Sequence, residues 1–279
     1  MDRSSTTFSV ASPDSNSKGF ESSATGVSPN LGVEPESATA DIGPSTSPSI
    51  GSASPWCLLV PLGATEQHGP HLPVATDTII AHEWARAAAR FIDGVVVAPP
   101  LPYGSSGEHQ AFAGTISIGQ DALNAVLVEI ARSVRSDYQE VVFVSGHGGN
   151  VPVLQPVVEQ LRFEGQSVEW VSPRWHSDDI DDPALLQLID AHAGHSETSL
   201  MLYLRPELVR PFENVTGNSR PLADLMPILR SDGLAAVSES GVLGNPSAAS
   251  RSHGETLFLA LVMSLVRTLR QLRNSKMRS

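Results

Sequence analysis

The sequence is short of cysteine, of basic side chains and of long apolar runs. Cys57 is the single cysteine, so no disulfide can form within the chain, and a reducing compartment suits it. The 18 Lys and Arg residues are outnumbered by 30 Asp and Glu residues, which gives a formal net charge of −12. Such an acidic chain is a poor partner for nucleic acid or an anionic membrane. No apolar run approaches the roughly 20 residues that span a bilayer, and the start of the chain lacks the features of a signal peptide. We therefore expect a cytoplasmic protein.

The first 54 residues differ in composition from the rest of the chain. Residues 1–54 are rich in Ser, Thr, Pro and Gly and show no hydrophobic periodicity. This composition predicts a disordered tail, because it offers too little apolar surface to offset the entropy of folding. Residues 55–275 are long enough to form one large domain with a sizeable core.

Within that domain, short apolar runs alternate with stretches of helical periodicity. The pattern predicts strands at residues 56–62, 95–98, 141–144 and 167–171, and helices at residues 78–92, 121–135, 151–163, 196–204 and 256–272. Residues 207–250 read as irregular. Alternating strands and helices favour an α/β fold with a mostly parallel sheet covered on both faces. In such sheets, ligands bind at the carboxyl ends of the strands.

The first candidate cluster follows the first predicted strand. Glu66 and His68 are two residues apart, so on extended chain their side chains point the same way. Asp77 lies eleven residues beyond Glu66, near the start of a predicted helix. Two carboxylates and an imidazole that converge here would suit a metal ion. The alternative is that Glu66 and His68 are solvated loop residues and Asp77 caps the helix.

The second cluster follows the third predicted strand and reads Gly-His-Gly-Gly-Asn at residues 146–150. Glycines allow a sharp turn and a close approach to a ligand, and His147 projects from the end of the strand. The chain has neither a dinucleotide fingerprint after a strand nor a nucleophile elbow. Alternatively, the glycines only form a tight turn and His147 bonds to the backbone.

The third cluster places two histidines and two acids between Asp190 and Glu197. Glu197 would lie in the first turn of a helix, where a carboxylate is also stable without a metal. His192 is the candidate acid/base group, because imidazole titrates near neutrality. His195 fits either the site or the surface.

Together the clusters offer five candidate metal ligands, a mixed carboxylate and imidazole set that suits Zn, Mn or Fe(II): Glu66, His68, Asp77, His147 and Glu197. One catalytic zinc usually takes three protein ligands, so two divalent ions that share Asp77 fit this set better. A water between the ions would become the nucleophile, and His192 would protonate the departing nitrogen.

These clusters, with the turn Gly-Val-Leu-Gly-Asn-Pro at residues 241–246, resemble the creatininase (creatinine amidohydrolase) family over about residues 56–270. The resemblance implies a three-layer α/β/α sandwich, a two-metal centre, amide hydrolysis and a homo-oligomer. It also implies that Glu66 and His147 bind one metal and His68 the other. Asp77 then bridges both, Glu197 completes the site, and His192 lies beside the substrate.

One departure concerns Gly148 and Gly149, where creatinine-hydrolysing members carry a bulky residue and a Glu. We expect the two glycines to open the pocket for an amide larger than creatinine. The loop Tyr-Gly-Ser-Ser-Gly-Glu-His-Gln at residues 103–110 is most similar to that of mycofactocin-system members, and it makes Glu108 and His109 candidate substrate-binding residues. Those members are peptidases that release the C-terminal Val-Tyr-derived unit from a modified precursor peptide.

The alternatives are an amidohydrolase of creatinine or another cyclic amide, and an inactive binding subunit with structural metals. The filled ligand positions and the presence of His192 argue against the inactive subunit.

Overall fold

The computed structural model describes residues 40–134, 136–175 and 177–276. Four strands are present in this part of the chain: β1 (Cys57–Leu62), β2 (Val95–Val97), β3 (Glu140–Ser145) and β4 (Val168–Val171). The helices are α1 (Ser47–Ala53), α2 (Thr76–Ala89), α3 (Gly119–Val134), α4 (Val151–Phe163), α5 (Pro183–Gln187), α6 (His195–Leu204), α7 (Leu222–Asp232) and α8 (Arg251–Lys276). Among them, no helix combines the length and the apolar character needed to cross a bilayer.

The four strands form one parallel sheet in the order β2-β1-β3-β4. The central pair, β1 and β3, is in register over six residues, from Cys57 opposite Glu140 to Leu62 opposite Ser145. Both strands are buried along their whole length, as expected for the middle of a parallel sheet. Because they end side by side, the loops that follow them emerge at the same edge.

Side chains of the strands alternate between two apolar layers. Leu58, Val60 and Leu62 pack with α3 and α4 on one face of the sheet. Cys57 and Leu59 pack with α2, α6 and α8 on the other. The sheet is therefore covered by helices on both faces, and the expected α/β/α sandwich is confirmed.

Two helices near the site differ from the predicted elements. Helix α2 begins at Thr76, so Asp77 lies inside its first turn and not before it. Residues 207–250 are not irregular throughout, because they contain the eleven-residue helix α7. Pro227 inside α7 reads as a helix breaker, but burial of Leu225 against Leu234 and Leu243 stabilises the helix.

The expectation of a disordered tail up to residue 54 is wrong for residues 40–54. The backbone N–H of Val97 donates to Ala40 and that of Ile42 donates to Val97, so this segment extends the sheet beyond β2. The Asp41 carboxylate also lies 2.9 Å from Nε of Arg86 on α2. The first 39 residues of the predicted tail lie outside the described residues.

Helices α6 and α8 lie close together at Gly254. A Cβ atom there would overlap the carbonyl oxygen of Ser199. We predict that Gly254→Ala lowers the free energy of unfolding by about 1–3 kcal/mol or more, because the backbones must separate. Gly51→Ala is the matched control, since Gly51 is helical and has open space around it. Chemical denaturation measures both variants, and equal stability of the two would contradict this account of the packing.

Candidate metal centre

The candidate residues meet where α2 crosses the ends of β1 and β3. A Cβ at Gly63 would overlap the backbone of Thr78, and a Cβ at Gly146 would overlap the carbonyl oxygen of Asp77. The two glycines after the strands therefore let the first turn of α2 lie directly against the strand ends. This close approach brings Asp77 to the loops that carry Glu66 and His147.

Asp77 lies between two histidines and faces each with a different oxygen. Its Oδ1 is 3.0 Å from Nε2 of His68, and its Oδ2 is 3.2 Å from Nδ1 of His147. Oε1 of Glu66 is 3.3 Å from the same Nδ1 of His147. On the other side, Oε2 of Glu197 is 3.7 Å from Nε2 of His68.

These contacts define two groups of donor atoms that have Asp77 in common. The first contains Glu66, Asp77 and His147, and the second contains His68, Asp77 and Glu197. A third group, Glu66, His68 and His192, does not include Asp77. Within each group the donor atoms lie within 4.8 Å of one another. The geometry therefore has the form of two adjacent cation sites with one shared carboxylate.

The carboxylate oxygens lack the hydrogen bonds that buried oxygens usually have. Both oxygens of Glu66 and Oδ2 of Asp77 are buried and have no hydrogen-bond partner among the described residues. Glu66 is 0% exposed and Asp77 1%. Buried carboxylates without donors are costly unless a cation neutralises them, so the residues present fit a metal site.

Three histidines are oriented in the same way. One ring nitrogen of each lies within hydrogen-bond distance of a backbone carbonyl oxygen. Nδ1 of His68 is 3.1 Å from the oxygen of Glu66, Nε2 of His147 is 2.9 Å from that of Ser105, and Nε2 of His192 is 2.9 Å from that of Gln67. Because a carbonyl only accepts, these nitrogens carry the protons. The other nitrogen of each ring faces the carboxylates. In a metal-loaded site that nitrogen would be unprotonated and could face the cation, while the outer contact fixes the tautomer.

The charges of the cluster shift its pKa values strongly. Burial is the largest single influence on Glu66 and raises its pKa, but the charge and hydrogen bond of His147 together with the charge of His109 lower it to about 2. Burial likewise acts against ionisation of Asp77, yet the charge of His68 holds its pKa well below the usual value. Burial is the largest single influence on His68 and lowers its pKa, but the charge and hydrogen bond of Asp77 together with the charges of Glu197 and Glu66 raise it to about 10. The acids are therefore ionised and attract positive charge.

His192 and Glu197 shift in the opposite directions. Burial, helped by the charge of His68, lowers the pKa of His192 to about 3. Burial raises the pKa of Glu197 to about 7, although His68 opposes the change. At neutral pH, His192 is therefore an uncharged base whose Nδ1 lies 3.7 Å from Oε1 of Glu66 and 4.0 Å from Oε2 of Glu197.

Gln67 contacts two histidines of the candidate site, His109 and His192, and the sequence analysis does not single it out. Its carbonyl fixes the His192 ring, and its side-chain nitrogen lies 3.2 Å from Nδ1 of His109 and 3.0 Å from the carbonyl oxygen of Gly241. Neighbouring side chains on an extended backbone point to opposite sides, so the sequence pattern predicts that Gln67 points away from Glu66 and His68. The sequence signal that could have identified Gln67 is its position between two candidate metal ligands, Glu66 and His68.

The cluster forms part of a cavity of about 820 Å³. Glu108, His109, Gly148 and Gly149 line it as well. Nε2 of His109 lies 3.5 Å from Oε1 of Glu66, and its ring packs edge-on against His192 with 4.6 Å between centroids. All four predicted substrate-binding residues are thus beside the candidate metal ligands.

The expectation that both glycines open the cavity holds at Gly148 only. No atom of the described residues lies within 4 Å of a Cβ built at Gly148. A Cβ at Gly149 would overlap His147 and the carbonyl oxygen of Ser105, and it would lie 3.0 Å from Oε1 of Glu108. Gly149 is therefore needed for close packing, and the Glu108 carboxylate lies beside it.

His195 is not among the residues that line the cavity. Its ring packs against His253, with 5.1 Å between centroids, and Nε2 lies 3.2 Å from Nδ1 of His253. Asp190 instead binds the backbone N–H groups of His195, Ser196 and Asn245. The third cluster therefore divides into two residues that face the cavity, His192 and Glu197, and others that hold the loop.

The comparisons with known proteins agree with this geometry. The chain is 47% identical over 226 residues to the mycofactocin precursor peptide peptidase of Mycolicibacterium smegmatis, covering 79% of this chain and 87% of that protein. It is 28% identical over 242 residues to the creatinine amidohydrolase of Pseudomonas putida, covering 79% and 91%. A crystal structure of creatinine amidohydrolase superposes with a TM-score of 0.67 at 26% identity, covering 84% of this chain and 98% of the other.

The family model for creatinine amidohydrolase matches residues 45–269, well over half of the chain. The resemblance carried by the sequence motifs is thereby confirmed. The chain belongs to the creatininase (creatinine amidohydrolase) family.

Proposed function

We propose that the protein is a metal-dependent peptidase with two divalent ions, Zn, Fe(II) or Mn. Glu66 and His147 would hold one ion, His68 and Glu197 would hold the other, and Asp77 would be shared. The observation that carries the proposal is the pair of donor groups with Asp77 in common. Related solved structures include Zn-Zn and Mn forms of creatininase. Bound ions of this kind polarise a carbonyl and supply hydroxide at neutral pH.

His192 moves the proton in this proposal. Its Nε2–H is held by the carbonyl of Gln67, so Nδ1 is the free nitrogen and faces the carboxylates. The ring is uncharged at neutral pH, and the position of Nδ1 beside the carboxylates places it to take the proton that the attacking water loses. The same nitrogen then donates that proton to the departing nitrogen of the amide.

We propose a peptide as the substrate, namely the modified mycofactocin precursor, from which the C-terminal Val-Tyr-derived unit is released. Two relatives at 47% and 45% identity bear the name mycofactocin precursor peptide peptidase. The cavity of about 820 Å³ lies in the upper part of the usual range of about 300–1,000 Å³ for ligand sites. It therefore has room for a peptide segment, with Glu108 and His109 as substrate contacts.

We also propose that the protein works in the cytoplasm as a homo-oligomer. The lone, buried Cys57 suits a reducing compartment. Leu259 and Met263 are 43% and 40% exposed on α8, where a second subunit could cover them. Light scattering after gel filtration measures the mass in solution.

Mass spectrometry of the products tests the proposed reaction. We expect the metal-loaded protein to cut the modified precursor at one amide bond, with the release of a small C-terminal product. Creatinine is the second substrate in the same assay, and we expect no creatine. If the precursor stays intact and creatine forms, the peptidase proposal is wrong and the protein is a small-molecule amidohydrolase.

Removal of the shared carboxylate should release most of the metal. Asp77→Asn takes one charged ligand from both donor groups, so we predict less than about half of the wild-type metal content. Asp121→Asn is the matched control, because Asp121 is an exposed acid in the first turn of α3. Elemental analysis measures both proteins. Wild-type occupancy in Asp77→Asn would argue against a shared carboxylate.

A change at His192 should separate turnover from metal binding. We predict that His192→Gln lowers kcat by about 10²–10⁴-fold, the usual contribution of a general acid/base, and leaves the metal content near that of wild type. His195→Gln is the control, since His195 is a buried histidine three residues away that does not line the cavity. Loss of metal in His192→Gln would make His192 a ligand, whereas unchanged turnover would remove it from the reaction.

A further inference from the structure

Helix α7 supplies a wall of the catalytic cavity that no metal or acid/base role explains. Six of its residues line the cavity together with the candidate metal ligands. Arg230, Ser231 and Asp232 form the polar end of this wall, and its apolar members are Leu222, Met226 and Leu229. Their spacing of i, i+4 and i+7 places them on one stripe of the helix. The stripe therefore faces the space in which the substrate must lie.

The stripe is more apolar than core packing requires. Within α7 only Leu225 is fully buried, and Leu229 packs partly against the same small apolar cluster. Leu222 is 44% exposed, although it borders a cavity whose other side carries carboxylates and imidazoles. Apolar side chains that remain exposed inside a cavity are typical of a binding surface.

The position of this wall is fixed relative to the candidate catalytic groups. A Cβ at Gly233, just after α7, would lie 3.1 Å from the carbonyl oxygen of Glu108. On the other side, Leu243 lines the cavity beside the stripe, and its backbone pairs with that of His192. The apolar stripe and the proton-transfer residue thus belong to one packed unit.

From these observations we infer that Leu222, Met226 and Leu229 form an apolar subsite for the substrate side chain next to the scissile amide. The inference rests on the proposed peptidase function and adds the chemical class of the residue that the enzyme selects. Met226 suits this role, because its flexible thioether adapts to aliphatic and aromatic shapes. A side chain of the same size with an amide group would have to leave water without gaining a partner.

The test compares two precursor-derived peptides that differ only in Leu or Asn beside the scissile amide. Wild-type protein should favour the Leu peptide in kcat/KM by about tenfold or more. Met226→Gln should lower that ratio by about threefold or more, and Leu222→Gln with Met226→Gln should bring it close to one. A ratio of two rate constants is independent of the fraction of active protein, so partial misfolding does not imitate the effect.

Ile228→Gln is the matched control. Ile228 lies on the same helix and is 36% exposed, but it does not line the cavity. Its substitution should leave the ratio within about twofold of wild type, and Met226→Leu should do the same. Equal ratios in Met226→Gln and Ile228→Gln would overturn the subsite.

Equilibrium binding separates failure of the subsite from failure of the proposed function. Calorimetry on His192→Gln measures the affinity of both peptides without turnover, and the Leu peptide should again bind about tenfold more tightly. Cleavage of both peptides at equal rates, with equal affinities, would overturn the subsite alone. Absence of cleavage by wild type together with selective binding would overturn the peptidase and keep the subsite.

Discussion

The structure depends on three carboxylates held close together in a buried place. Glu66 and Asp77 are almost fully buried, and Glu197 is 19% exposed through its side chain. One partner missing from a buried ion pair costs about 3–5 kcal/mol, which is comparable to the whole stability of many domains. His68 and His147 compensate part of this charge, as their raised pKa values show. Cations would compensate it more completely, because they replace the imidazole protons and bind the oxygens that lack donors.

The α/β scaffold makes this concentration of charge possible. Parallel strands β1 and β3 end at the same edge and present their loops together, which is the rule for ligand sites in such sheets. The glycines after both strands remove the side chains that would keep α2 away. The first turn of α2 then delivers Asp77 to the centre of the site, where the partial positive charge of the helix end also favours a carboxylate.

Much of the fold and of the candidate site could be predicted from the sequence, because strand periodicity and polar residues at strand ends are local signals. Glu66, His68 and His147 follow buried strands, and Asp77 and Glu197 open helices, so topology alone brings them to one edge. The missed features depend on contacts between distant residues. Helix α7 contains Pro227, and its helical state depends on packing against Leu234 and Leu243. Gln67 acquires its role only when His109 and His192 arrive from elsewhere in the chain.

The residues that local sequence signals predict and the helix that they miss lie on different sides of the cavity. The floor is built from strand ends and first helical turns. The sheet register fixes the positions of the strand ends, and the floor residues Glu66 and Asp77 are almost fully buried. The wall is built from α7 and the turns around it, which are held by a small separate apolar cluster. Substitutions in that wall disturb few core contacts, whereas substitutions in the floor disturb the charges on which the site depends. A change of the accepted amide is therefore compatible with an unchanged floor when it arises in the wall, because α7 has one fully buried side chain, Leu225.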